Sequence, residues 1–220
     1  MQRILVLGAG GHAKSVIDIL ERMPDREVVG VIASAPAADA THAGYPVLGD
    51  DAQLAAVVER HGVDGCVVAI GDNWTRARVA RMVGEAVPSL RFTTVIHPSA
   101  QIARGVTIGD GTVVAGNAVV ERDAHIGAHA YISMTTVVGH DVSIGDYATL
   151  GPHAVLCGAA RLGEYAMVGA GANVLQNIVV GEHTVIGAGS TVTRDVPAYA
   201  VAYGSPARVM RQRQAGERYL

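Results

Sequence analysis

Two hydrophobic rhythms divide the chain. Over residues 3–92, short aliphatic runs alternate with stretches whose apolar residues recur every three or four positions. Arg3–Leu7, Glu27–Ile32 and Cys66–Ile70 read as strands, the last a buried one because all five residues are apolar. Ala13–Arg22, Asp51–His61 and Asn73–Val87 read as helices. Val16, Ile17, Ile19 and Leu20 form the apolar side of the first, and Leu54, Val57 and Val58 that of the second. Gly8–Gly11 is a turn, and Phe92–Ile96 leads out of the region. Strands alternating with helices predict a small parallel sheet with helices on its faces, an α/β domain over residues 1–93.

From Ile96 the period becomes six. Every sixth residue from Ile96 to Val192 is aliphatic, seventeen positions without an insertion. The residue four places after each is Ala, Val, Thr or Ser in sixteen cases, with Ile178 the exception. Glycine directly follows the large aliphatic nine times. A fixed internal period is a strong sign of a repeat fold. Six residues supply one short strand and one corner, and three such units close a triangular coil of eighteen residues. The large residue and the small one two places before the next large one both point inward. Seventeen units give between five and six coils, a prism roughly 27 Å tall at about 4.8 Å per coil. The pattern predicts an all-β parallel β-helix over residues 94–196, followed by a C-terminal segment, 197–220.

The register also sorts the polar residues. In VVGHDVSIGD, Val138 and Val142 are inward, so Gly139, His140 and Asp141 form a corner that projects outward. His140 is either a solvated corner residue or a group held out for chemistry, and Asp141 beside it is either a turn former or its partner. His129, His153 and His183 fall one place later in their units and are also expected outward. His125 and His129 are four apart, a spacing that pairs ligands on an α-helix but not on a coil, so no metal site is expected.

Composition narrows the classes. A net charge of −3 and the lack of a basic stripe argue against a nucleic-acid partner. No run approaches the ~18 apolar residues of a membrane span. The opening MQRILVLGAGG has too short an apolar run for a secretion signal. Cys66 and Cys157 make neither a disulfide framework nor a CxxC pair. A cytoplasmic protein is expected. Gly8-Ala9-Gly10-Gly11-His12-Ala13 matches the GxGxxA dinucleotide fingerprint in strand–turn–helix context, yet Ile32-Ala33-Ser34 stands where an acidic residue should close the second strand. NAD is therefore disfavoured. Gly71, Asp72 and Asn73 in AIGDNWTR follow the third strand, where open α/β sheets bind ligands, and Arg76 opens the next helix with Asn73.

ILVLGAGGHAKSVIDIL, GHDVSIGD and GSPARVM, together with the repeat, resemble the hexapeptide-repeat acyltransferases that acetylate nucleotide-linked amino sugars. Sialic acid O-acetyltransferases share the two-domain plan. The resemblance covers essentially the whole chain. It implies a Rossmann-like N-terminal domain, a left-handed β-helix, and a homotrimer with active sites between subunits. It implies acetyl-CoA as co-substrate and a nucleotide-linked 4-amino-4,6-dideoxy sugar as acceptor. By the same resemblance His140 is the general base and Asp141 its acidic companion. Gly10, Gly11, His12, Lys14, Gly71, Asp72, Asn73 and Ser133 are expected toward the nucleotide sugar. Gly139, Gly158, Gly169, Ala170, Gly171, Gly187, Ala188, Pro206 and Arg208 are expected along CoA, with Gly139 and Gly158 as rival donors to the oxyanion. Related enzymes often carry Asn in place of Ser133, and the bacillosamine type carries a second histidine in place of Thr149. Those departures favour GDP-perosamine over a UDP-linked sugar. An O-acetyltransferase, a metal-dependent β-helix lyase and a non-catalytic sugar-nucleotide-binding scaffold are the alternatives.

Overall fold

The computed structural model describes residues 1–34 and 40–219. The N-terminal sheet runs β3-β4-β2-β1-β5-β6, with β1 at Gln2–Leu7, β2 at Arg26–Ile32, β3 at Thr41–His42, β4 at Tyr45–Gly49, β5 at Gly65–Val68 and β6 at Arg91–Phe92. All neighbours are parallel except the short β3–β4 hairpin. Alternate residues of β1 feed two cores. Ile4 and Val6 pack with α1 (Gly11–Glu21), whereas Leu5 and Leu7 pack with α2 (Leu54–His61) and α3 (Asn73–Ala86). Gly8 ends β1 with φ +117°, and a Cβ there would lie 2.8 Å from the Ala69 carbonyl, so only glycine lets the chain turn this close to the end of β5.

The helices lie where the periodicity put them, within a few residues. Asp51–Gln53 is a separate 3₁₀ turn capped by the Asp50–Gln53 box, so α2 starts later than the pattern implied. The stretch Phe92–Ile96 is not one exit strand. Phe92 closes β6 beside β5, while Val95–Ile96 already belongs to the first coil.

Seventeen two-residue strands follow at intervals of six, from Val95–Ile96 to Thr191–Val192. They stack in parallel, eighteen residues apart, on three walls. The first wall contains Val113–Val114 and Tyr131–Ile132, the second Val119–Val120 and Val137–Val138, the third His125–Ile126 and Ser143–Ile144. Large aliphatics and small Ala or Thr residues fill the interior, and Ile126, Ile132, Ile144, Leu150 and Leu156 are fully buried. The lowest coil has none beneath it, which leaves the inward Ile102 37% exposed.

Each corner repeats one geometry. Its third residue is left-handed through fifteen consecutive units, from Gly105 to Gly189, and Asp141 has φ +58°. Two of the three corner amides bond to adjacent coils, as Gly139 N–H does to Leu156 O above (2.8 Å) and Asp141 N–H to Arg122 O below (3.1 Å). The middle amide is left for a side chain or a ligand.

Two outward features are packed against neighbours. His129 and His183 point away from the prism axis but are not solvated, being 5% and 7% exposed. They belong to a stack, His129–Tyr147–Tyr165–His183–Tyr199, whose ring centroids are 4.6–5.1 Å apart, the coil spacing. The tail RQRQAGERYL likewise packs against the rest of the chain. Arg213 is 7% exposed and donates to His183 O at 2.6 Å. Residues Ala200–Gly204 extend the first wall, and Ala207–Gln212 turns back on them in a hairpin before the tail reaches α3. Among the described residues no helix is long and apolar enough to cross a membrane.

Candidate functional site

The N-terminal domain is fastened to the first wall of the prism. Val95, Val113 and Ala115 of that wall share a core with α1. At the next corner Arg76 of α3 is 2% exposed and uses its guanidinium as a clamp. It donates to the carbonyls of Ile70 (2.8 Å), Gly71 (3.0 Å), His129 (2.8 Å) and Tyr147 (2.9 Å) and to Thr149 Oγ1 (3.0 Å). These bonds match the five N–H donors of the group, so the buried cation is satisfied without a carboxylate contact.

Three cavities surround the glycine loop. The largest, about 610 Å³, lies between α1, the end of β5 and the first wall, and its lining includes Gly11, His12, Gly71, Thr149, Gly169 and Ala170. Gly187, Ala188 and Tyr219 also face it. Residues expected toward the nucleotide sugar thus meet residues expected along CoA. His12 stands edge-on to Tyr131, with ring centroids 4.2 Å apart. Burial, with help from Arg76, lowers its pKa to about 4, so it is neutral at pH 7. Gly10 faces a second cavity of about 370 Å³ at the carboxyl ends of β1, β2 and β5, with Ser34, Asp51 and Arg78. Lys14 faces a third, of about 490 Å³, with His97 and Asn117.

Several expected contacts are occupied elsewhere. Asp72 caps α3 by accepting from Thr75 N–H (2.8 Å). Asn73 is 4% exposed and donates its amide to Tyr165 O (2.7 Å). Ser133 is 3% exposed. Gly171 is a left-handed corner that donates to Pro152 O, beside the cavity rather than on it. Pro206 follows a cis bond at the tip of the terminal hairpin, and the exposed Arg208 turns back on Ala207 O (3.0 Å). Arg76, the stacked aromatic column and Tyr219 were not assigned to the site from sequence. The column had a readable signal: His129, Tyr147, Tyr165 and His183 occupy the same outward place one coil apart. Arg76 and Tyr219 had none, since their partners lie 53 and 148 residues away.

His140 sits on the corner between the second and third walls. This is the one corner that does not border the first wall, so the chain's own glycine loop is on the other side of the prism. The imidazole and the Asp141 carboxylate are exposed and joined by a 2.8 Å hydrogen bond between Nδ1 and Oδ2. Asp141, with a smaller contribution from Glu121, raises the His140 pKa. Glu121, one coil below, accepts the His140 backbone N–H at 3.0 Å and fixes the corner. One coil above, Gly158 leaves room for the ring, since a Cβ there would lie 2.5 Å from Nε2. The two glycines differ as donors. The Gly139 N–H is already bonded to Leu156 O, whereas among the described residues the Gly158 N–H has no acceptor. The corner therefore presents an exposed base, a carboxylate that orients it and a free amide. Cys157 adjoins it, and Cys66 lies in the sheet, where burial pushes its thiol up to about 12. Among the described residues no three His, Cys, Asp or Glu side chains gather as a metal site.

Comparison with known proteins agrees with this architecture. Residues 3–83 match the PglD N-terminal domain, and residues 90–122, 123–158 and 159–194 match the bacterial transferase hexapeptide (six repeats). A perosamine N-acetyltransferase from Caulobacter crescentus, solved with CoA and GDP-perosamine as a histidine-to-asparagine variant, superposes with a TM-score of 0.91 at 33% identity. The match covers 96% of this chain and 98% of that one. The acetyltransferase domain of PglB from Neisseria gonorrhoeae FA1090, in complex with acetyl coenzyme A, superposes with a TM-score of 0.86 at 26% identity over 95% and 99% of the two chains. The UDP-N-acetylbacillosamine N-acetyltransferase of Bacillus subtilis (strain 168) is 33% identical over 121 residues, which is 52% of this chain and 51% of that protein. The match thus spans about half the length of that curated relative. With the expected left-handed parallel β-helix behind a small α/β domain, the chain belongs to the family of hexapeptide-repeat sugar-nucleotide N-acetyltransferases.

Proposed function

We propose that the protein transfers an acetyl group from acetyl-CoA to the 4-amino group of a nucleotide-linked 4-amino-4,6-dideoxy sugar, with GDP-perosamine the favoured acceptor. The amine nitrogen attacks the thioester carbonyl while His140 Nε2 takes the amine proton. The tetrahedral oxyanion is held by the Gly158 N–H. Collapse breaks the C–S bond, and the proton returns from His140 to the CoA sulfur. Asp141 keeps Nδ1 protonated, so that Nε2 is the basic nitrogen. His140 works only when neutral. Because Asp141 raises its pKa, the rate climbs with pH through that raised value and falls on the acid side.

The observation that carries the reading is the corner itself: an oriented imidazole beside the Gly158 amide, which has no acceptor among the described residues. Its position on the edge away from the glycine loop supports a homotrimer, in which the His140 edge of one protomer meets the α1–coil cavity of its neighbour. Thr149 supports an acceptor other than the bacillosamine precursor. It lines the cavity and its hydroxyl is bonded to Arg76, where the bacillosamine type carries histidine.

The test is a thiol-release assay with acetyl-CoA against GDP-perosamine, UDP-linked 4-amino sugars and hydroxyl acceptors, with His140→Asn alongside. One amino sugar should release CoA rapidly, and the variant should lose ~100-fold or more, the scale of a general base. Wild-type turnover by His140→Asn would remove the mechanism, and turnover on hydroxyl acceptors alone would make the enzyme an O-acetyltransferase.

A further inference from the structure

The segment after the terminal hairpin is built into the large cavity. Arg213 anchors it through the 2.6 Å bond to His183 O and a second bond to Glu217 O. Glu217 holds the turn by pairing with Arg211 (2.7 Å) and accepting from Gln214 N–H (3.1 Å). Gly216 lies against the Trp74 indole, where a Cβ would come within 2.9 Å of Nε1. The segment then delivers Tyr219, whose hydroxyl donates to Gly71 O (3.2 Å) and accepts from Asn73 N–H (3.3 Å). Its ring forms part of the cavity lining with Gly11 and His12.

Those two bonds fall on a sensitive place. Gly71–Asn73 is the turn from β5 into α3, and Asn73 N–H belongs to the first turn of that helix, whose amides have no partner within the helix. Arg76 holds the Gly71 carbonyl from inside, and Tyr219 holds it from the cavity side. The turn is thereby fixed between two groups far apart in sequence. We propose that residues 213–219 form a strap belonging to the nucleotide-sugar site, and that Tyr219 is a positioning residue for the Gly71–Asn73 turn. The proposal rests on the functional reading above. It assigns Tyr219 to the nucleotide sugar rather than to CoA, because its hydroxyl bonds twice to the β5–α3 turn, and its one coil neighbour, Thr149, is on a strand and not at a corner.

The test is calorimetric binding of GDP, UDP and CoA, each alone, to wild type, Tyr219→Phe and Tyr219→Ala. For whichever nucleotide wild type binds, Tyr219→Phe should weaken binding about three- to tenfold, part of what its two hydrogen bonds to the turn contribute, and Tyr219→Ala more, with CoA unchanged in both. Trp74 is the only tryptophan and packs on the strap, so its emission reports docking. Unchanged emission in Tyr219→Phe, with nucleotide binding weakened, assigns the loss to the hydroxyl. Equal nucleotide affinity in wild type and Tyr219→Phe, or an equal loss for CoA, overturns the proposal while leaving the acetyltransferase reading intact. If wild type binds neither nucleotide, the functional reading falls and this one falls with it.

Discussion

At the scale of single residues, the proposed active corner is made by an absence. Gly158 is not in a left-handed conformation, so alanine there meets no backbone penalty. Its methyl would nonetheless overlap the His140 ring, which now lies 2.5 Å from that point. Gly158→Ala should therefore fold normally and lose about 100-fold in kcat, the usual consequence of displacing a catalytic group by an ångström. Circular dichroism and a steady-state assay check both halves, and full activity in the variant would mean that the ring does not work where it is seen. The outward corner shared by His140 and Asp141 was legible in the sequence, because register alone turns a residue inward or outward; the roles proposed for them came from the family resemblance. The choice between Gly139 and Gly158 was not. It depends on which amide the next coil already occupies, a fact about stacking rather than about either glycine.

At the scale of elements, the aromatic column and α3 join the two domains. His129 is stacked on Tyr147 and edge-on to Phe92, and its Nδ1 is buried without a partner among the described residues. Burial, reinforced by Arg76, lowers its pKa from 6.5 to about 4. The unfolded chain protonates this histidine first as pH falls. Its contribution is thus complete above pH 6.5 and is lost between there and about 4. Between pH 6.5 and 5 this amounts to about 2 kcal/mol, or several degrees of Tm. His129→Phe keeps a ring in the stack and removes the titration. Thermal melts from pH 7.5 to 5 should fall less steeply for the variant than for wild type, and parallel curves would contradict the assignment. The repeat announced the coils, since each inward position is dictated by its own unit. The docking of α3 was hidden because Arg76, although on the same face as Ala80 and Val83, reads from its residue type as a charge to be solvated. Only the carbonyls of His129 and Tyr147 make it a buried clamp.

At the scale of the whole molecule, the two halves of the chemistry lie on different sides of one prism. The glycine loop and the cavity proposed for the sugar nucleotide border the first wall, and His140 stands on the corner away from it. In the proposed homotrimer one protomer would hold two half-sites, each completed by its neighbour's complement. The most direct measurement is complementation between His140→Asn and His12→Ala chains carrying different tags. Each variant should be inactive alone. Co-expressed in equal amounts and isolated as mixed trimers, they should regain about a third of wild-type activity, because a closed ring of both chain types has one interface in three where an intact His140 edge meets an intact cavity. If the mixed trimers stay as inactive as the single variants, base and cavity belong to the same chain, and the composite site is wrong.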